Sequence, residues 1–206
     1  MVSWKKIWYF IWKDDSLYSW LVNVVLAVII VKFLIFPGLG LLLNTSFPVV
    51  AVVSCSMEHD VTNCGKGVAE LCGIKNLDKV EGFDDYWDVC GEWYEDFAIS
   101  KESFNEFPFS NGFNKGDIMV LVGGDFNNVG VGENVVFDSG RKDPIIHRVV
   151  DKNENELMTK GDHNRNQLGL EKNINEEKIL GKAVFRVPYL GWVKVTFDQL
   201  IGGVLK

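Results

Sequence analysis

The chain has 206 residues, of which 47% are hydrophobic and 24% are charged. This length suits one domain of ordinary size with an appendage, and the hydrophobic content excludes wholesale disorder. The formal net charge of −7 argues against nucleic-acid binding, because phosphate contacts require concentrated lysine and arginine. The first fifty residues are basic, with four lysines and two aspartates, and the rest is acidic. This asymmetry predicts a membrane anchor followed by a soluble domain.

Residues 1–18 are predicted to form a helix in the cytoplasmic membrane interface. Apolar side chains recur there at helical spacing, on the face opposite the lysines: Trp4, Ile7, Trp8 and Ile11. A frayed terminus with chance spacing is the alternative. Because positive charge precedes the apolar segment that follows, the sequence predicts a single-pass protein of the cell membrane with a cytoplasmic N-terminus.

A long apolar segment, residues 19–43, is predicted to be a transmembrane helix. Only Asn23 and Lys32 within it are strongly polar. At about 1.5 Å per residue, the helix would exceed a hydrocarbon core of about 30 Å. Pro37 and Gly38 are expected to end its regular part. A buried core helix would need shielding that a small acidic domain hardly supplies, and a cleaved signal peptide would have a shorter apolar region.

Residues 44–206 are predicted to form a mainly β, extracytoplasmic domain. Short runs rich in valine and isoleucine alternate with glycine, asparagine and aspartate, as is typical of strands. The runs are Pro48–Val53, Asp117–Val122, Glu133–Phe137, Ile145–Val150, Leu157–Thr159 and Ile179–Val187. No helical period of useful length separates them, so we do not expect a doubly wound α/β fold.

An acidic, aromatic insertion at about residues 62–111 interrupts these strands and contains Cys64, Cys72 and Cys90. A segment of this length is rarely structureless, so we expect local helix and disulfide pairing among the three cysteines. Their connectivity cannot be read from sequence. Free thiols or a metal site are the alternatives, although the spacings do not match the usual zinc pattern. The insertion is also a candidate surface for a protein partner.

Three short polar segments could carry chemistry. Ser54-Cys55-Ser56 follows an apolar strand, His147 lies within a strand, and Asp162 follows another strand. Taken singly, each has an ordinary interpretation as a turn former, a half-buried side chain or a turn. An imidazole nevertheless suits a general base near neutral pH, and a serine or a cysteine suits a nucleophile.

In this order the segments resemble type I signal peptidases, and among them the archaeal and endoplasmic-reticulum type. Four motifs carry the resemblance: S-x-S-M as Ser54–Met57, K-G-D-I as Lys115–Ile118, I-H-R-V as Ile146–Val149 and T-K-G-D-x-N as Thr159–Asn164. The resemblance covers about residues 15–60 and 112–195 and leaves out the insertion.

The resemblance implies a membrane-bound serine endopeptidase that removes N-terminal signal peptides from secretory preproteins. Ser56 would be the nucleophile, and His147 would be the general base where the bacterial branch has a lysine. The Ser54 hydroxyl and the Ser56 backbone N–H would form an oxyanion hole. Asp162 would orient the imidazole. Neither a cofactor nor a metal is implied; the partners are signal peptides and the lipid bilayer.

Two departures affect this transfer. His59 stands where the family often has proline, and Leu168 stands where many relatives carry a second acid. The acid role therefore falls to Asp162 by default, with Asp143 as another candidate, and His163 is a rival base. A dedicated maturation protease and a non-catalytic, membrane-anchored surface binding protein are the alternative functions.

Overall fold

The computed structural model describes residues 3–64, 67–141 and 143–204, the last four by their backbone alone. The chain divides into two compact units, with the boundary after Ser46. The extreme ends of the predicted segments 1–18 and 44–206 lie outside the described residues.

The first unit is helical. It consists of α1 (Trp4–Trp12), α2 (Leu17–Ile30), a π-helical turn (Val31–Ile35) and α3 (Phe36–Leu43). The Ser16 side chain caps α2 by accepting a hydrogen bond from the Ser19 N–H. Asn23 donates from its side-chain amide to the Ile11 carbonyl at 2.8 Å, which ties α2 to α1. One of the two polar side chains of the apolar segment is thereby satisfied within this unit.

The segment Leu17–Leu43 is helical throughout, which corrects the expectation that Pro37 ends the regular helix. The π-helical turn directly before the proline accommodates it, since the Phe36 N–H donates to Val31, five residues back. The helix ends instead at Asn44, which adopts the left-handed conformation common at helix ends. Among the described residues, one helix is long and apolar enough to cross a membrane, and it is this one.

The second unit is built on a seven-stranded antiparallel sheet, which confirms the mainly β prediction. Its strands are β1 (Val49–Ala51), β4 (Ile118–Val122), β5 (Asn134–Phe137), β6 (Ile145–Lys152), β7 (Glu156–Lys160), β8 (Ile174–Asn175) and β9 (Ile179–Val187). Two further strands, β2 (Glu70–Leu71) and β3 (Ile74–Lys75), form a hairpin outside this sheet. The order of the strands across the sheet is β1-β4-β9-β5-β6-β7-β8. β1 forms one edge of the sheet, so it has a free side for hydrogen bonding.

The insertion is a folded element of this unit. It contains the β2–β3 hairpin, α4 (Phe83–Glu95) and α5 (Lys101–Glu106). Its core consists of buried apolar residues that pack with Val150 of β6: Leu71, Val80, Tyr86, Trp87, Cys90, Tyr94, Ile99 and Phe104. The insertion therefore shares a core with the sheet. The last helix, α6 (Trp192–Val204), packs against β1.

Two disulfides are present, as the cysteine content predicts. Cys72 pairs with Cys90, and Cys64 pairs with Cys55, each at a Cα–Cα distance of 5.7 Å. The expectation of pairing among the three insertion cysteines was therefore incomplete, because one partner lies outside the insertion. The Cys55–Cys64 disulfide also removes Cys55 as a free nucleophile.

Candidate active site

Ser56 lies in the turn at residues 54–57, shortly after β1 ends at Ala51. The backbone of Val52 exchanges hydrogen bonds with the loop before β4, accepting from Gly116 at 2.9 Å and donating to Asp117 at 2.8 Å. Met57 is fully buried, and its carbonyl accepts from the Phe113 N–H at 3.1 Å. Backbone hydrogen bonds therefore hold the chain before and after Ser56, and the Ser56 side chain is half-buried.

The structure brings the predicted nucleophile and base together. The Ser56 Oγ lies 2.8 Å from the His147 Nε2, although 91 residues separate them in sequence. His147 is buried within β6, where it is 2% exposed. The Ser54 Oγ lies 3.1 Å from the Ser56 Oγ. The predicted serines and the histidine therefore form one cluster.

The carboxylate that is hydrogen-bonded to His147 belongs to Glu171, which was not predicted from the sequence. The His147 Nδ1 is hydrogen-bonded to the Glu171 Oε1. Glu171 is fully buried at the end of a 3₁₀ turn, Gly169–Glu171. Its carboxylate also accepts hydrogen bonds from the Leu168 N–H and the Thr159 hydroxyl. A serine, an imidazole and a carboxylate thus stand in line, an arrangement that activates a hydroxyl as a nucleophile.

Asp162 occupies a different position, which corrects its assignment as the orienting acid of His147. Its carboxylate forms a buried ion pair with Arg148, whose Nη2 lies 2.7 Å from Oδ2. The same carboxylate accepts from the Tyr94 hydroxyl at 2.9 Å and lies 2.9 Å from the His59 Nε2. Asp162 therefore belongs to a buried polar network with Arg148, Tyr94 and His59.

Strand geometry explains why the two carboxylates are separate. His147 and Arg148 are neighbours on β6, so their side chains point to opposite faces of the sheet. His147 meets Ser56 and Glu171, whereas Arg148 faces the insertion. The single motif I-H-R-V thus supplies both the imidazole that contacts Ser56 and the cation that binds Asp162.

Arg148 is fully buried, and each of its five N–H donors has an acceptor. The guanidinium donates to Asp162 and to three backbone carbonyls, those of Pro108, Phe109 and Gly132. It also lies over the Phe104 ring, 4.6 Å from its centroid. Complete pairing of this kind offsets the desolvation free energy that burial of the guanidinium charge costs.

The electrostatics of the network keep Asp162 ionised. Burial alone would raise its pKa, but the Arg148 guanidinium and the hydrogen bond from His59 hold the pKa well below the usual range. Burial lowers the pKa of His59, and it lowers that of Lys160 to about 8. Burial and the nearby Asp162 charge raise the pKa of Tyr94, which keeps its hydroxyl proton available for donation.

The remaining candidate residues have structural contacts of their own. The His163 backbone N–H donates to the Ser56 carbonyl at 2.9 Å, and the His163 Nδ1 lies 3.2 Å from the Glu58 carbonyl oxygen. Asp143 pairs with Lys194 at 3.2 Å rather than with a histidine.

A cleft of about 490 Å³ opens over Ser56, and a second one of about 290 Å³ adjoins it. Ala51, Val53 and Ile146 line both, while Val52 lines the first and Val50 the second. Together the clefts follow the edge strand β1 and the chain that enters β6. Such a groove can hold an extended peptide.

No model of a known protein family matches the chain. Signal peptidase complex catalytic subunit SEC11C of Homo sapiens is 33% identical over 98 residues, which cover 42% of this chain and 51% of that protein. The SEC11C of Canis lupus familiaris matches to the same extent. Signal peptidase complex catalytic subunit SEC11 of Metarhizium robertsii is 33% identical over 102 residues, covering 42% of this chain and 57% of that protein.

The chain is related to the endoplasmic-reticulum and archaeal type of signal peptidase. Its match spans about half the length of these curated relatives. Together with the apolar helix Leu17–Leu43, this relationship suggests a membrane-anchored protein.

We expect Asp162→Asn to destabilise the fold by about 3–5 kcal/mol at pH 7, because it leaves the Arg148 guanidinium buried without its counter-charge. The pKa of Asp162 in the folded state lies below its unfolded value of about 3.9. The carboxylate therefore stabilises fully above that pH, and this stability is lost as the pH falls towards the folded pKa. The difference between parent and variant should therefore be the same at pH 7 and pH 5 and begin to narrow at pH 3.

Urea unfolding of the full chain in detergent at pH 7, 5 and 3 measures this difference. Asp151→Asn, at an exposed position of β6, is the matched control. Equal stability of the two variants at pH 7 would contradict the structural role of Asp162.

We expect Gly161→Ala to separate Ser56 from His147. An added Cβ would lie 2.7 Å from the His147 Nε2 and 2.8 Å from the Ser56 carbonyl oxygen, and a backbone atom cannot move aside. Phosphonylation of the Ser56 hydroxyl by a fluorophosphonate, with fluoride as the leaving group, should slow at least tenfold. Gly130→Ala, where an added Cβ meets nothing within 4 Å, is the control. Labelling of the Gly161→Ala variant at the parent rate would refute this packing argument.

Proposed function

We propose that the protein is a membrane-anchored serine endopeptidase that removes N-terminal signal peptides from secretory preproteins. The observation that carries the proposal is the alignment of the Ser56 hydroxyl, the His147 imidazole and the Glu171 carboxylate beneath a groove along an edge strand. The relationship to signal peptidase catalytic subunits supports the substrate class.

His147 acts as the general base in this proposal. Its Nε2 accepts the Ser56 proton as the hydroxyl oxygen attacks the scissile carbonyl carbon. The imidazolium then donates that proton to the departing amine, which leaves the signal peptide as an ester of Ser56. Water, activated by the same Nε2, hydrolyses the ester and restores the hydroxyl. The 2.8 Å separation of the two atoms is within proton-transfer reach.

Glu171 orients the base. By accepting a hydrogen bond from the Nδ1–H, it fixes the tautomer whose Nε2 lone pair faces Ser56, and it stabilises the imidazolium during the reaction. Its own position is held by the Thr159 hydroxyl and the Leu168 backbone. In this account Glu171 takes the role that the sequence analysis gave to Asp162.

Ser54 supports the oxyanion. Its hydroxyl is close to Ser56, and the Ser56 backbone N–H is the second donor of the proposed hole. Donors fixed in this way stabilise the charge that develops on the carbonyl oxygen in the transition state.

The substrate lies extended along β1, whose free edge provides backbone hydrogen bonds. The clefts lined by Val50 and Val52 offer shallow apolar pockets, and small side chains before the cleavage site would suit them. The shape of the groove thus favours a peptide chain over a compact ligand.

Membrane anchoring brings the enzyme to its substrate. Only residues 44–48 connect the apolar helix to β1, a distance of at most about 17 Å when extended. A signal peptide also lies in the bilayer, so tethering raises its effective concentration at the site. We place the N-terminus and α1 at the cytoplasmic face of the cell membrane and the sheet domain outside. A protein partner at the insertion remains part of this proposal.

Ser56→Ala is expected to abolish cleavage while the protein still inserts and folds. Ser54→Ala should lower kcat by about 100-fold, as the loss of one oxyanion donor does elsewhere. The measurement is cleavage of several unrelated presecretory proteins by the full chain in lipid vesicles. Cleavage by Ser56→Ala at the parent rate would refute the nucleophile, and cleavage of a single substrate alone would favour a dedicated maturation protease.

Glu171→Gln is expected to lower kcat at least 100-fold, because the amide no longer stabilises the imidazolium. Glu176→Gln, at an exposed position five residues later, is the control and should leave the rate unchanged. Steady-state kinetics on one presecretory substrate provide the test. A loss below threefold in Glu171→Gln would remove Glu171 from the mechanism.

A further inference from the structure

The insertion is joined to the Ser56 turn by one disulfide, and beside the other disulfide it is hydrogen-bonded to the turn at residues 161–164. Cys55, which is bonded to Cys64, directly precedes Ser56. Cys72, which is bonded to Cys90, donates its backbone N–H to the His163 carbonyl at 3.0 Å. One disulfide therefore joins the nucleophile turn, and the other braces the contact with the turn at residues 161–164.

Two tyrosines of α4 hold the outer side of that second turn. The Tyr86 hydroxyl donates to the Asp162 carbonyl at 3.0 Å, and the Tyr94 hydroxyl donates to the Asp162 carboxylate at 2.9 Å. The Tyr86 ring also stacks on His59 at a centroid distance of 3.5 Å. Both tyrosines are fully buried, so these contacts are shielded from water.

The inner side of the same turn touches the catalytic pair. Gly161 lies so close to His147 that an added Cβ would be 2.7 Å from its Nε2. The His163 N–H donates to the Ser56 carbonyl at 2.9 Å. The turn at residues 161–164 therefore lies between the insertion and the Ser56–His147 pair. A displacement of this turn would change the positions of both Ser56 and His147.

The insertion has little regular structure to hold these tyrosines in place by itself. Its strands have two residues each, and its helices have 13 and 6 residues, lengths at which isolated helices are marginal. The disulfides span separations of 9 and 18 residues and restrict the unfolded alternatives. Tyr86 and Tyr94 are therefore held by the core that the insertion shares with the sheet and, in addition, by the two disulfides.

We propose that the insertion is a redox-dependent positioning element, which holds the Ser56–His147 pair in its reactive geometry only when both disulfides are formed. This proposal rests on the proposed function. Each disulfide forms when two cysteine thiols exchange with a disulfide oxidant, which takes up two electrons and two protons and leaves as thiols. The enzyme would therefore become active only in an oxidising compartment.

The first test compares oxidised and dithiothreitol-reduced full-length protein in detergent, with thiols counted by alkylation and mass spectrometry. We expect reduction to lower kcat for a presecretory substrate at least tenfold with KM within twofold. Oxidation with glutathione disulfide should restore kcat. Circular dichroism tests whether the sheet remains folded in the reduced sample.

Tyr94→Phe provides a second test that leaves both disulfides intact. Loss of one hydroxyl that acts through Asp162 should lower kcat about three- to tenfold without changing KM. Lys101→Ala is the control, because Lys101 pairs with Asp84 on the outside of the insertion, where neither touches the turn. If reduction unfolds the sheet, the Tyr94→Phe result decides the question.

The rate at which a fluorophosphonate phosphonylates Ser56, with release of fluoride, gives a readout that needs no peptide substrate. Redox-dependent phosphonylation without peptide cleavage would support the positioning element and refute the proposed substrate. Equal phosphonylation rates and equal kcat in folded reduced and oxidised protein would overturn the positioning element and leave the peptidase proposal standing. A Tyr94→Phe variant at the parent rate would do the same if reduction unfolds the sheet.

Discussion

The buried ion pair between Arg148 and Asp162 is the interaction on which the second unit depends. It connects a central strand, the loop at residues 108–109 and the turn that follows β7, none of which adjoin in sequence. Removing either charge would leave the other one buried and unpaired, which costs far more than a surface ion pair contributes. The pair thus fixes the turn at Asp162 against β6, and the insertion closes over it through Tyr94.

Side chains alternate along β6, and this places the Arg148–Asp162 ion pair on the face opposite His147 and Ser56. His147 faces the groove, and Arg148, one residue later, faces the insertion. Each has its own buried carboxylate, Glu171 for the imidazole and Asp162 for the guanidinium. Because Asp162 is paired with a full positive charge and Glu171 contacts the imidazole, the orienting role in the proposed mechanism falls to Glu171. The two carboxylates therefore have different partners.

Much of this architecture could be predicted from the sequence. Valine- and isoleucine-rich runs located six strands of the sheet, because half-buried strands require that pattern. The order of the motifs identified Ser56 and His147 as neighbours. Glu171 was missed because it reaches the imidazole through a three-residue 3₁₀ turn, which has no periodic signal. The pairing of Cys55 and the passage of the helix through Pro37 also depend on contacts and hydrogen-bond shifts that composition does not encode.

The central claim is that Glu171, and not Asp162, accepts the hydrogen bond from the Nδ1–H of His147. Proton NMR of the folded protein at low temperature tests it most directly, because an imidazole proton shared with a buried carboxylate resonates far downfield. We predict that this resonance persists in Asp162→Asn and disappears in Glu171→Gln. Loss of the resonance in Asp162→Asn, with its retention in Glu171→Gln, would contradict the account.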